Sequence, residues 1–260
     1  MDFIGCKSKR KTEKRANGAA RGAGLWQIKG VGASILYAIC RVLARIILAL
    51  PGRLRVLHPE PAGRPGAWLL AANHISHFDP PLIAMACRRR VDWMAMVELF
   101  RRRGVAALLR ALGAFPADRA KVDRQAVRET LRRLAAGRVV GIFPEGGIRS
   151  GAESVLEGAP MRPGVATLAR LAGVPVVPCV ILGSDRLYRP QTWLPWPRTD
   201  FWIAFGEPLT LRDDLPPAEA REELEAALAA AWKALGAELR SVYRLTDADR
   251  PRTAQERIAE

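Results

Sequence analysis

The chain has 260 residues, with 41 Lys+Arg against 26 Asp+Glu, a formal net charge of +15 at pH 7. At 49% hydrophobic residues it can bury the core of one large α/β domain or two small ones, which excludes global disorder. The positive surface selects anionic partners: nucleic acid, anionic membrane headgroups or phosphorylated small molecules.

Residues 1–24 carry Lys7, Lys9, Arg10, Lys11, Lys14, Arg15 and Arg21 among Gly, Ala and Ser, too few large apolar groups to offset ordering entropy. They read as a disordered basic arm. Residues 25–52 follow as the most apolar stretch of the chain, too long for a signal peptide and without a small-x-small cleavage pattern. Arg41 and Arg45 lie inside it on one helical face, and an arginine near a bilayer centre costs about 2.5 kcal/mol or more. The pattern therefore favours a membrane-associating helix lying in the interface, its arginines reaching headgroups, over a spanning one. Basic residues flank it on both sides, Arg53, Arg55 and Arg64 after it, so charge sets no orientation. An ordinary buried N-terminal helix is the alternative.

Residues 53–245 read as one α/β domain. Strand patterns fall at Trp68–Ala71, Val91–Met96, Arg138–Phe143, Val174–Leu182 and Phe201–Phe205, separated by helical patterns at 81–87, 98–112, 121–136, 163–172 and 216–242. Such alternation implies a single sheet flanked by helices. Leu224, Leu228, Trp232, Leu235 and Leu239 form a core-facing stripe on the last helix. The polar tail, residues 246–260, is expected to fray. Cys6, Cys40, Cys87 and Cys179 include no CxxC pair, so neither a zinc ribbon nor a disulfide framework is indicated.

Three clusters could carry chemistry. Asn73-His74-Ile75-Ser76-His77-Phe78-Asp79-Pro80-Pro81 follows an apolar strand. Pro80 suits a first helical position, so Asp79 can cap the next helix while residues 73–79 make a turn. The turn matters, because positions five apart in a regular helix diverge by about 140°. Within it Asp79 can accept from one ring nitrogen of His74 and leave the other as a general base. Two other readings stay open: plain turn and cap residues, or a metal set of His74, His77 and Asp79. The second cluster, Gly113 to Arg119, reads as a loop in which Arg119 could clamp a phosphate or be only a surface charge. The third, Phe143-Pro144-Glu145-Gly146-Gly147-Ile148-Arg149-Ser150-Gly151, lies at the carboxyl end of a strand, where open α/β sheets bind ligands. There Gly146 permits close backbone approach, Arg149 can meet an anion and Glu145 can order arginines or a substrate hydroxyl, or the whole is a plain Gly-rich turn. Phosphate-binding GxxxxGK[ST] and serine-hydrolase GxSxG motifs are absent.

Taken in order, these clusters resemble the glycerolipid acyltransferase family that includes 1-acylglycerol-3-phosphate acyltransferases. Asn73-His74 through Asp79 corresponds to its His-x4-Asp motif, Gly113 to Arg119 to its Gly-x-x-Phe-type loop ending in Arg, Phe143 to Gly146 to its Phe-Pro-Glu-Gly motif, and Val174 to Pro178 to its Val-Pro-Val-Val-Pro segment. One departure is that the family's Glu-Gly-Thr-Arg-Ser is here Glu145-Gly146-Gly147-Ile148-Arg149-Ser150, with the arginine one residue later. The resemblance implies a glycerol-3-phosphate acyltransferase-like fold. It also implies His74 as general base oriented by Asp79, and Arg119, Glu145, Gly146 and Arg149 around the acceptor. No metal and no cofactor are expected, with acyl-CoA or acyl-carrier protein as co-substrate. The expected partners are membrane lipids rather than nucleic acid, at the cytoplasmic face of a membrane. A basic nucleic-acid-binding module is the rival class, but the tryptophans are not interleaved with Lys/Arg as such a surface requires.

Overall fold

A computed structural model of the protein describes residues 35–118, 123–194 and 198–259. The basic arm and the first part of the apolar segment lie outside the described residues.

Helix α1 (residues 35–49) leads directly into strand β1 (Gly52–Leu57). Then come β2 (Trp68–Ala72), α2 (Asp79–Ala86), β3 (Val91–Met96), α3 (Arg103–Ala111), β4 (Phe115–Ala117), α4 (Arg124–Ala135) and β5 (Val139–Ile142). The chain continues through α5 (Val165–Ala172), β6 (Val176–Leu182), β7 (Thr199–Phe205), α6 (Pro217–Val242) and α7 (Ala254–Ala259). The strands form one seven-stranded sheet in the order β1-β7-β6-β2-β5-β3-β4, parallel except where β6 meets β7.

The central strands read as unbroken apolar runs because both faces are covered. Successive residues alternate between two cores. Leu69, Ala71, Val140, Ile142, Val180 and Leu182 pack with Leu134, Val165 and Leu228 of α4, α5 and α6. Trp68, Leu70, Ala72, Val177, Cys179 and Ile181 pack on the other face with Leu48, Leu82 and Leu109 of α1, α2 and α3. Burying Trp232 also satisfies its indole N–H, which donates to the Ala71 carbonyl at 3.1 Å and anchors α6 to the end of β2.

Four features differ from the sequence expectations. β1 was read as part of a basic flank, but Arg53 and Arg55 alternate with Leu54 and Val56 along an edge strand that pairs with β7. The loop expected at Gly113–Arg119 contains β4, and its Pro116 is tolerated because that strand is at the sheet edge. The single helix expected at 98–112 is divided into a 3-10 turn (Val97–Phe100) and α3.

The fourth is the tail. It does not fray across its described residues: Thr246 and Asp249 form a capping box, and α7 buries Arg257 against Asp185 at 2.7 Å. A partner 72 residues away in sequence overrides the local polar composition.

Helix α1 is amphipathic with an unusual polarity. Its protein-facing stripe holds Tyr37, under the Arg90 guanidinium, together with Ala44, Leu48 and Arg45, which donates to the Met85 carbonyl at 3.3 Å. The opposite stripe exposes Ile35, Leu36, Ile39, Val42, Leu43, Ile46 and Ile47, and Leu50 just beyond the helix is exposed too. Arg45 thus reaches α2 rather than outward, as the sequence reading had it. Among the described residues no helix is long and apolar enough to cross a membrane.

Candidate active site

Strands β2, β5 and β6 lie side by side and parallel, so their carboxyl ends converge. His74 follows β2, Glu145 follows β5 and Ser184 follows β6. Asn73 fastens two of these ends, its amide donating to the Ile181 carbonyl at 3.0 Å and its Oδ1 accepting from Ile181 N–H at 2.7 Å.

The turn from His74 to Asp79 closes around the Asp79 carboxylate. Oδ2 accepts from His74 Nδ1 at 2.8 Å, Ile75 N–H at 2.7 Å and Ser76 N–H at 2.9 Å. Oδ1 accepts from the Ser184 hydroxyl. Asp79 was expected to cap α2. Instead Phe78 occupies the cap position, and Asp79, the first helical residue, turns its carboxylate back onto the preceding turn.

Asp79 is fully buried, and the Ile75 and Ser76 N–H groups and the Ser184 hydroxyl make its carboxylate an acceptor before His74 is counted. The hydrogen between His74 and Asp79 is therefore assigned to Nδ1, and in the neutral ring Nε2 then carries the lone pair. The imidazole stacks on Phe143 with ring centroids 4.0 Å apart, and Phe143 stacks on Trp93 at 4.9 Å. About 11% of the His74 side chain is exposed, so the ring is held by the protein yet retains some access to solvent.

Glu145 lies beneath this turn. One oxygen accepts from His74 N–H at 2.7 Å; the other accepts from the Ser154 hydroxyl and Val155 N–H, each at 2.9 Å. Burial pushes its carboxyl above the usual range, while these donors pull the other way. Both oxygens are engaged by the protein, so Glu145 shapes the site from below and does not itself reach a substrate hydroxyl. Gly146 adopts φ 71°, a left-handed conformation that other side chains take only with strain, and a Cβ there would also displace the Arg162 side chain, 2.4 Å away.

Arg149 N–H donates to the His74 carbonyl at 2.8 Å, and its guanidinium pairs with Glu153 at 2.6 Å. Arg119 lies outside the described residues, though the chain on either side is joined by Asp118 N–H donating to Asp123 at 2.9 Å. His77 turns away from Asp79 and its Nδ1 meets the Tyr188 hydroxyl at 2.5 Å. Among the described residues no three His, Cys, Asp or Glu side chains are placed to hold a metal ion. Burial pushes the Cys87 thiol up to about 12 and raises that of Cys179, so neither supplies a thiolate nucleophile.

The sequence reading missed Ser184 and Tyr188. Neither belongs to a spacing pattern with Asp79 or His77; each lies more than a hundred residues further along and arrives through the β2–β6 pairing.

Residues 53–182, half of the chain, match the family model described as Acyltransferase. The chain belongs to the acyltransferase family. It is 27% identical over 151 residues to the 1-acyl-sn-glycerol-3-phosphate acyltransferase of Bacillus subtilis (strain 168), covering 58% of this chain and 73% of that protein. The crystal structure of the 1-acyl-sn-glycerophosphate acyltransferase PlsC from Thermotoga maritima matches the fold with a TM-score of 0.63 at 21% identity, over 83% of each chain. This acyltransferase fold accounts for the placement of His74 and Asp79 where three strand ends meet.

The Glu145 geometry gives a direct stability prediction. Glu145→Ala leaves three buried donors unpaired, at about 1–3 kcal/mol each, and denaturant unfolding should show a loss of at least about 2 kcal/mol. An unchanged midpoint would mean that these hydrogen bonds do not hold the turn.

Proposed function

We propose that the protein is a membrane-associated enzyme that transfers a fatty acyl group from a thioester, acyl-CoA or acyl-carrier protein, to the free hydroxyl of a lysophospholipid. The acceptor that fits the similarity to the Bacillus protein is 1-acylglycerol 3-phosphate, giving phosphatidic acid. The observation that carries this reading is the His74–Asp79 pair at 2.8 Å, held with its outer nitrogen available for a proton.

In the proposed reaction the acceptor hydroxyl oxygen attacks the thioester carbonyl carbon while its proton passes to His74 Nε2. Asp79 holds the ring and stabilises the imidazolium that forms. The tetrahedral intermediate then collapses as the C–S bond breaks, and the departing thiolate takes the proton back from His74. No covalent enzyme intermediate, metal or cofactor enters this cycle. Arg149 and Arg119 are the proposed partners of the acceptor phosphate, Arg149 by exchanging its exposed pairing with Glu153 for the phosphate.

Membrane association rests on α1. Its seven exposed large apolar side chains, with Leu50 just beyond, make a face of the kind that marks an interaction surface. Val97, Leu99, Val105 and Leu108 are also exposed near α3, on the side of the sheet that α1 covers. The net charge adds attraction to anionic lipid, about 1 kcal/mol per Lys or Arg near the surface. A lysolipid acceptor resides in that surface, and attachment at the cytoplasmic face places the enzyme where thioester donors are made.

Two experiments test the proposal. With acyl-CoA or acyl-carrier protein as donor and a panel of lysolipids as acceptors, wild type should acylate 1-acylglycerol 3-phosphate. His74→Ala, folded by circular dichroism, should lose at least about a hundredfold in rate. Acylation of glycerol 3-phosphate or a lyso-aminolipid alone would move the acceptor, and full activity in His74→Ala would remove the base. In the second, Ile39→Asp/Leu43→Asp/Ile46→Asp should abolish co-sedimentation with phosphatidylglycerol vesicles. Retained binding would show that α1 is not the docking face.

A further inference from the structure

We infer that Ser184 is a positioning residue for the His74–Asp79 pair, and that the C-terminal segment, residues 246–259, keeps it in place. The inference rests on the proposed role of His74 as base and adds to it residues outside all three motif clusters.

A carboxylate turns as a plane about its Cβ–Cγ bond, a torsion with broad rotameric wells, so contacts on its two oxygens restrain that torsion together. Asp79 Oδ2 accepts from His74, Ile75 and Ser76, all within its own turn, so the contact on Oδ1 is the one that ties the plane of the group to a different element. Ser184 makes that contact with a fully buried hydroxyl. Fixing the carboxylate plane fixes the direction in which Nδ1–H must point, and with it the direction of Nε2.

What holds Ser184 is the end of the chain. Strand β6 stops at Leu182, and Gly183 turns at φ 82°, where a Cβ would lie 2.8 Å from the Asp200 carbonyl and 2.9 Å from the Trp202 ring. The next three residues point three ways. Ser184 reaches Asp79; Asp185, fully buried, accepts from Arg257 Nε at 2.7 Å and Arg252 N–H at 3.0 Å; Arg186 pairs with Asp249. Arg257 in turn donates to the Arg250 carbonyl at 3.0 Å, closing the segment on itself. The same short stretch, ending at Tyr188, supplies the hydroxyl that meets His77. One face of the Ser184–Tyr188 turn therefore belongs to the catalytic turn and the other to α7 and the residues before it.

Steady-state acyl transfer by the full chain tests this with Ser184→Ala, Ser184→Thr, Arg257→Met, Arg257→Lys and the Ser184→Ala/Arg257→Met double variant. Ser184→Ala should lower kcat about 10- to 100-fold while KM for donor and acceptor stays within about twofold, and Ser184→Thr should recover most of the loss. Arg257→Met should lower kcat with the same pattern and Arg257→Lys less so. The double variant should be no slower than the slower single one, because both act through one contact.

Should Arg257→Met not fold, Asp249→Asn loosens the same segment at the less buried Arg186 pair and takes its place. A kcat for Ser184→Ala within about twofold of wild type, or losses that multiply in the double variant, would overturn the inference. A proton NMR measurement separates this from the catalytic reading: the Nδ1 proton of His74, assigned by its absence in His74→Ala, should shift or broaden in Ser184→Ala even if no acceptor is acylated. An unchanged resonance counts against Ser184 whatever the activity.

Discussion

The structure turns on a single buried carboxylate. Asp79 has no exposed surface, and an ionised group in that position persists only where hydrogen bonds replace the water it has lost. Its donors come from its own turn, from the His74 ring and from Ser184 beyond β6. Each of them requires a piece of the fold. The turn needs β2 to end at Ala72, the ring needs Phe143 beneath it, and the hydroxyl needs β6 beside β2 in register. The sheet is in this sense a frame for one hydrogen-bonded cluster, and Glu145 extends that cluster downward by gripping the His74 backbone amide.

The two faces of the sheet do different work. One is closed by α4, α5 and α6 into an ordinary core, tied to β2 by the Trp232 indole. The other carries α1, which packs against the protein through a narrow stripe and leaves its broad apolar side uncovered. An apolar side of this extent is costly in water and stable against lipid. In the proposed reaction this brings His74 to a membrane surface where the acceptor is already concentrated, and the positive charge favours an acceptor that carries phosphate.

Much of this was legible in the sequence, for identifiable reasons. The central strands are apolar without interruption and the helices between them keep their period, so the single sheet could be read directly. The five-residue spacing of His74 and Asp79 beside two prolines announced a turn. The edges were less legible: β1 hides its apolar residues between Arg53 and Arg55, and β4 is three residues long and contains Pro116. Long-range partners were not legible at all. Ser184 looks like any turn serine, and Arg257 like one charge in a polar tail, until the fold brings them to Asp79 and Asp185. Glu145 was recognised as important, but its spacing could not reveal that both oxygens face protein donors.

The central claim is that Asp79 acts as a hydrogen-bond acceptor that sets the tautomer and direction of His74. The most direct measurement is the single-turnover rate of acyl transfer by Asp79→Asn, with folding verified by near-ultraviolet circular dichroism. The amide keeps the size of the side chain but places a donor where acceptance is required, so the account predicts a folded protein slowed by about 10³- to 10⁴-fold. A folded Asp79→Asn variant that transfers at the wild-type rate would contradict it, and the base would have to be sought elsewhere in the site.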